Sequence, residues 1–285
     1  MSSPDIALDL AAGTAAHAID RRRERQADTA LRRSGVAWFV VAVIGQLLFA
    51  SYIAGFYGRA TLLGRPDWWN KVMPHGYVAG DAFGNIVVGL HLLFAVVIIL
   101  GGALQLLSQV RRRWPRFHRW NGRVYLGAAA VMSLGGLVMV WRRGTVGDLS
   151  QHIAISINAL CILGCAGMAL YHAIARRIDA HRRWALRLFL VVSGVWFFRV
   201  GLMFWIVANQ GPAGFDADTF TGPFLTFLAF AQYLVPLAVL EAYFHVRDRA
   251  GVAARFAMAG AMCVLTLATA GGIAAATALM WLPRL

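Results

Sequence analysis

Two short stretches combine side chains that can ligate a metal and hold an anion. One is His118-Arg119-Trp120-Asn121-Gly122-Arg123 and the other His181-Arg182-Arg183-Trp184-Ala185-Leu186-Arg187. Each sets an imidazole, several guanidiniums and an indole at the threshold of a long apolar run. Imidazole ligates iron, zinc and copper, and guanidinium pairs carboxylates through two parallel hydrogen bonds. No His-x-x-x-His pattern or acidic cluster gathers three ligands on one helix, which disfavours a metal held by protein alone. Two histidines from facing elements, ringed by arginines, fit the ligation of b-type haem. Its iron takes two imidazoles and its propionates need positive partners. Hydrolase chemistry has no footing: Gly-x-Ser-x-Gly and His-Glu-x-x-His are absent, and Glu241 is the only glutamate outside the N-terminal tail. Phosphate loops and dinucleotide fingerprints are absent too.

The elements that must position these residues are membrane spans. At 285 residues, 59% hydrophobic and 14% charged, with mean hydropathy +0.62, the chain is too apolar for a soluble protein of this length. A crossing helix needs about 20 apolar residues, and roughly seven runs qualify: 36–57, 84–108, 123–141, 151–175, 184–207, 223–245 and 254–282. The fold expected is an all-α, polytopic membrane helix bundle, with residues 1–33 as a basic tail and 34–285 as the bundle. The net charge of +14 is not a nucleic-acid stripe; it gathers in alternate connectors. Basic clusters occur at Arg21–Arg33, Arg111–Arg123, Arg176–Arg187 and Arg247–Arg255. The positive-inside rule then sets the N-terminus inside and, after seven spans, the C-terminus outside. The tail fits either a helix lying on the anionic inner leaflet or an unstructured topology signal. Cys161, Cys165 and Cys263 lie within apolar runs without Cys-x-x-Cys spacing, so no zinc site or disulfide framework is indicated.

Ionisable groups inside spans are costly and mark candidate sites. His91, Gly102 and Gln105 share one face of the second span, and glycine there admits a close helix or a flat macrocycle. Arg199 lies eighteen residues after His181, five helical turns or about 27 Å further along one stripe. It calls for an anion, a propionate or substrate carboxylate, or for backbone carbonyls. In the fourth span His152 and His172 face opposite ways, and Asn158, Cys165 and His172 share a face. Glu241 and His245, at i,i+4, suit a proton site or a solvated helix end. Only Pro236 interrupts a span, and the outer loop 58–83 is placed to cap the bundle.

The third and fifth spans run in the same direction, so His118 and His181 are expected at matched depth, with Arg119, Arg123, Arg183 and Arg187 beside them. His91 and His152, with Arg199, would form a second, outer pair, so one or two haems are implied over a core of about 84–207. This alternation resembles the helix and histidine arrangement of the cytochrome b561 family. Three stretches resemble an uncharacterised bacterial membrane family, domain of unknown function 2306. They are His91 through Gly101-Gly102-Ala103-Leu104-Gln105, then Phe117 through Leu126, and His181 through Arg187. The resemblance implies a multi-pass protein of a bacterial inner membrane; the family brings no established activity.

Three functions follow. The first is a haem-b protein passing electrons between a quinol or other small donor and an outer acceptor, a cytochrome b561-like oxidoreductase. The second is a small-molecule or proton transporter or a lipid-site protein, which intramembrane polar groups also suit. The third is an accessory or scaffold subunit. Its seventh span, with Gly260, Gly271 and Gly272, offers a small-residue face to a second copy or another membrane protein. The bilayer is a partner in all three; nucleic acid is a partner in none.

Overall fold

The computed structural model describes residues 3–144 and 147–285, with side chains from residue 19 onward. Eight longer helices carry the fold among these residues: α1 (Ser3–Tyr52), α2 (Ala82–Leu106), α3 (Pro115–Val138), α4 (Leu149–Ile174), α5 (Ile178–Val192), α6 (Gly194–Ala208), α7 (Pro223–Arg249) and α8 (Val252–Ala276). Six of the helical runs are long and apolar enough to cross a membrane, and the bent pair α5–α6 makes a seventh. The all-α membrane bundle expected from hydropathy is therefore what the chain forms.

The helix boundaries follow local chemistry. Asp81 caps α2, its carboxylate accepting from Gly84 N at 3.1 Å, and Asp148 caps α4 by accepting from Gln151 N at 3.1 Å. Pro115 opens α3 at the first turn, where its missing N–H costs nothing. The α4–α5 turn is closed by Arg176 in the left-handed region, φ 56°, with Arg177 N donating to His172 O at 2.9 Å. That conformation ends α4 and starts α5 three residues before His181.

Two compact units are distinguished. The smaller comprises Met1–Ala42 and Val239–Ala268. Within it Arg255 pairs with Asp28 at 2.8 Å and Tyr243 reaches the Leu31 carbonyl at 3.5 Å. The helix containing the tail continues without a break through the first span, Ile19–Leu62. Glu241 and His245 lie exposed on α7.

The larger unit, Val43–Ala238 with Thr269–Leu285, contains the four-helix ring. α2 packs on α3, α3 on α4 and α4 on α5, and α5 returns to touch α2. Its centre is filled by Ile98, Tyr125, Ala128, Ala129, Leu188 and Val191. At one end of the ring Arg143, 7% exposed, pairs with Asp81 at 2.7 Å and donates to Asn85 and to the carbonyls of His75 and Gly76. This arginine ties the end of the α3 run to the start of α2 and to the loop before it. That loop is further closed by Asn70 and Tyr77, paired at 2.8 and 2.9 Å, and by Trp69, which is buried.

Two expectations about helix continuity are corrected. α7 runs unbroken through Pro236, whereas the fifth span breaks at Ser193, where α5 and α6 diverge by 53°. Ser193 Oγ takes the Phe189 carbonyl at 2.7 Å, Ser193 N shifts toward Leu190 O at 3.1 Å, and Gly194 follows. Serine back-bonding next to a glycine is a recognised cause of a kink. His181 and Arg199 consequently do not share one straight helical stripe. In α8, Gly271 and Gly272 are used inside the chain: a Cβ on Gly272 would fall 2.6 Å from Val200 O and Val200 Cγ1. Gly260 meets nothing within 4 Å.

Candidate functional site

The end of the ring that carries the basic connectors brings the twin motifs together. His118 stands one turn into α3 and His181 one turn into α5, close enough to interact electrostatically. His181 Nδ1 lies 2.9 Å from the Ala169 carbonyl of α4. A carbonyl only accepts, so in the neutral ring Nδ1 carries the proton and Nε2 keeps its lone pair. His118 Nε2 is 3.5 Å from Gln105 Nε2, while its buried Nδ1 has no hydrogen-bond partner.

Asn121 joins these groups to α2. Its Nδ2 donates to Gly101 O and to Gln105 Oε1, both at 2.9 Å, and Gln105 in turn reaches His118. The glycines make this possible. A Cβ on Gly122 would stand 2.8 Å from Gln105 Nε2, and one on Gly102 would stand 3.0 Å from the Tyr125 ring. The Gly101–Gly102 face expected to admit a helix or a macrocycle is thus covered by Asn121, Tyr125 and Phe189. Asn121 follows His118 by three residues and Tyr125 follows Asn121 by four, which puts all three on one helical face. That periodicity is the signal by which the buried amide and phenol could have been singled out from sequence.

Arginines surround the histidines unevenly. Arg187 stacks on Trp184, its guanidinium carbon 4.6 Å from the ring centroid, and Arg182 pairs with Asp179 at 3.4 Å. Arg119 and Arg123 are exposed, and Arg183 is half-buried. Arg119 lies within electrostatic range of His118.

The residues expected at the outer site are dispersed. His91, half-buried, packs against α3, its Cε1 3.6 Å from the Cβ position of Gly136, and it faces the Met132 backbone. His152, half-buried, sets its ring edge-on to Trp141 at 6.3 Å. His91 therefore rests on α3, and His152 on the π-helical turn Met139–Arg143 that follows it. Arg199 stacks over Phe49 at 5.2 Å and donates to Val195 O at 3.5 Å, so an aromatic face and a backbone carbonyl hold it. It remains within electrostatic range of His91, Tyr52 and Tyr57.

With this geometry in place, comparison with known proteins adds one match.
Residues 88–215 are similar to a family described as "Predicted membrane protein (DUF2306)".
The DUF2306 match covers His91, His118, His152, His181 and Arg199 and stops before α7. It supports the membrane assignment and an uncharacterised family. No curated protein and no solved structure matches the chain.

A further polar cluster, reaching beyond the DUF2306 stretch to Gln46 and Gln232, was not assembled from the sequence. At the Ser193–Gly194 break, Gln46 donates to Ser193 Oγ at 2.8 Å. The Asn158 amide lies 2.8 Å, and Gln232 Oε1 3.5 Å, from where a Gly194 Cβ would stand. The Asp81–Arg143 pair was missed as well, because Arg142-Arg143 reads in sequence as a thin basic connector.

Proposed function

We propose that the α2–α5 ring binds b-type haem at its basic end, with His118 and His181 as axial ligands, and moves electrons within the membrane. The observation that carries this reading is the state of the ring nitrogens on the two histidines. His181 is oriented by the Ala169 carbonyl so that Nε2 is unprotonated, and His118 keeps a buried ring nitrogen without a partner. A carbonyl that fixes the far nitrogen of a histidine is the usual support for a metal-bound imidazole. Arg119, Arg123, Arg183 and Arg187 supply positive charge for propionates. When bound, haem supplies one-electron chemistry that no side chain here provides; the protein sets ligand orientation and excludes water.

Because Tyr125, Leu188 and Val191 fill the ring centre, room for the group lies among the half-buried and exposed residues of the basic end. A second haem on His91 and His152 would require His91 to leave its packing on α3 and His152 to leave Trp141. The resemblance to the cytochrome b561 family points to the same chemistry, with a quinol or other small reductant as donor and the basic end facing the cytoplasm of a bacterial inner membrane. A transport reading is favoured by one observation, the broken α5–α6 span with amides gathered at the break, a form used at substrate sites within membranes.

The test is haem content. Protein expressed with a haem precursor and purified in detergent should carry about one b-type haem per chain, measured after extraction into pyridine. Folded protein without haem, together with solute-dependent uptake into proteoliposomes, would replace this reading by transport.

A further inference from the structure

Beside the histidine cluster, the connector between α2 and α3 forms an open recess of about 750 Å³. Leu104, Val110, Trp114 and Phe117 give it an apolar lining, joined by Arg113 and Arg116. Trp114 is 56% and Phe117 40% exposed, so large apolar surfaces stand open at the end of the spans. The volume lies within the range of small-molecule sites, about 300–1,000 Å³.

The charge around the recess is unneutralised. Six arginines, Arg111, Arg112, Arg113, Arg116, Arg119 and Arg123, fall within thirteen residues, and no Asp or Glu occurs between Asp81 and Asp148. Among the described residues none of the six forms an ion pair, whereas Arg65, Arg143, Arg182, Arg247 and Arg255 each have an aspartate. An isolated set of guanidiniums calls for an anion, and the lining calls for hydrocarbon. A free phosphate would leave the Trp114 and Phe117 faces bare, and an uncharged lipid would leave the guanidiniums unpaired.

We propose that this recess is a binding site for an anionic phospholipid, with its phosphate on Arg113 and Arg116 and its glycerol and upper acyl carbons against Leu104, Val110, Trp114 and Phe117. The site sits where headgroups of the leaflet lie, at the turn between two spans. It uses neither His118 nor His181 and stands whether or not haem is bound.

The experiment is lipid titration of the full chain in detergent, read by native mass spectrometry and by thermal stability. Phosphatidylglycerol should bind saturably at one or two molecules per chain and raise the unfolding temperature; phosphatidylcholine and glycerol phosphate should do neither. Arg113→Gln with Arg116→Gln should weaken phosphatidylglycerol at least tenfold, and Trp114→Ala severalfold. Arg22→Gln with Arg23→Gln, which removes as much charge from the tail, should leave binding unchanged. All these positions are exposed, and an unchanged helical signal in circular dichroism confirms folding. Equal loss in the tail variant would reduce the effect to general surface charge and overturn the site. Equal binding of glycerol phosphate would overturn the lipid assignment.

Discussion

His181 Nδ1 sits 2.9 Å from the carbonyl oxygen of Ala169, one helix away in the ring. This contact settles which nitrogen of the neutral ring is protonated and so which one is available to a ligand. It also links the entry of α5 to the exit of α4 across the turn that Arg176 closes. The histidine is thereby positioned by backbone, which no side-chain substitution at Ala169 removes.

Asn121→Ala should destabilise the protein and disturb His118. The amide makes two buried hydrogen bonds to α2, and its loss leaves the Gly101 carbonyl and Gln105 Oε1 without their donor. Each stranded group costs about 1–3 kcal/mol. Thermal or denaturant unfolding in detergent measures the cost, which should be at least about 1–3 kcal/mol, the value for one stranded group. A change below roughly 0.5 kcal/mol would mean the amide is not the link between α2 and α3.

Gly84→Ala should loosen the opposite end of the ring. The added Cβ would lie 2.3 Å from Asp81 Oδ2 and 2.4 Å from two nitrogens of Arg143. An overpacked methyl costs about 1–3 kcal/mol, and here the atoms that must move are those of the clamp. Protease sensitivity of the 58–83 loop should rise together with the loss of stability.

The same clamp sets an acid limit. The Arg143 hydrogen bonds first, and then the Gly84 N–H, hold the Asp81 carboxyl below the usual carboxylate range. A depressed native value means that the unfolded chain takes up the proton more readily. The stabilisation is therefore complete above the ordinary carboxylate value of about 4 and is lost as pH falls through the native one. Asp81→Asn should lower stability at neutral pH and flatten the decline below about pH 4. An unchanged acid profile in that variant would assign the decline to other carboxylates.

Much of the fold was readable because its causes are local. Runs such as 84–108 and 151–175 announce spans by length and hydropathy alone, and α2 and α4 form there with ends shifted by two residues or so. The Ser193 break was not readable, since Ser-Gly pairs occur in straight helices; what bends this one is the Ser193 Oγ–Phe189 contact together with Gln46 from a distant helix. The proximity of His118 and His181 followed from span direction, which sets depth. Helical phase cannot say what lies across from a residue: His91 and His152 were matched by depth, yet one ring rests on α3 and the other on Trp141 in the turn beyond it. Arg143 was invisible as a structural arginine because its partners, Asp81 and Asn85, are some sixty residues away.

Ser193→Ala provides a check on that break. It strands Gln46 Nε2 and frees the Phe189 carbonyl, at a cost of about 1–3 kcal/mol. Pairing it with Gln46→Leu should recover part of the loss, because neither partner is then left unsatisfied. Purely additive losses in the double variant would show that the two side chains act independently.

The haem reading is tested most directly by one set of absorption spectra, comparing purified wild-type protein with His118→Ala and His181→Ala after reduction. The wild type should show the sharp Soret and α bands of low-spin bis-imidazole haem, and each variant should lose the low-spin bands or the haem itself, while His75→Ala leaves them unchanged. A colourless, folded wild type from haem-replete cells would contradict the reading, as would intact low-spin bands in both single variants.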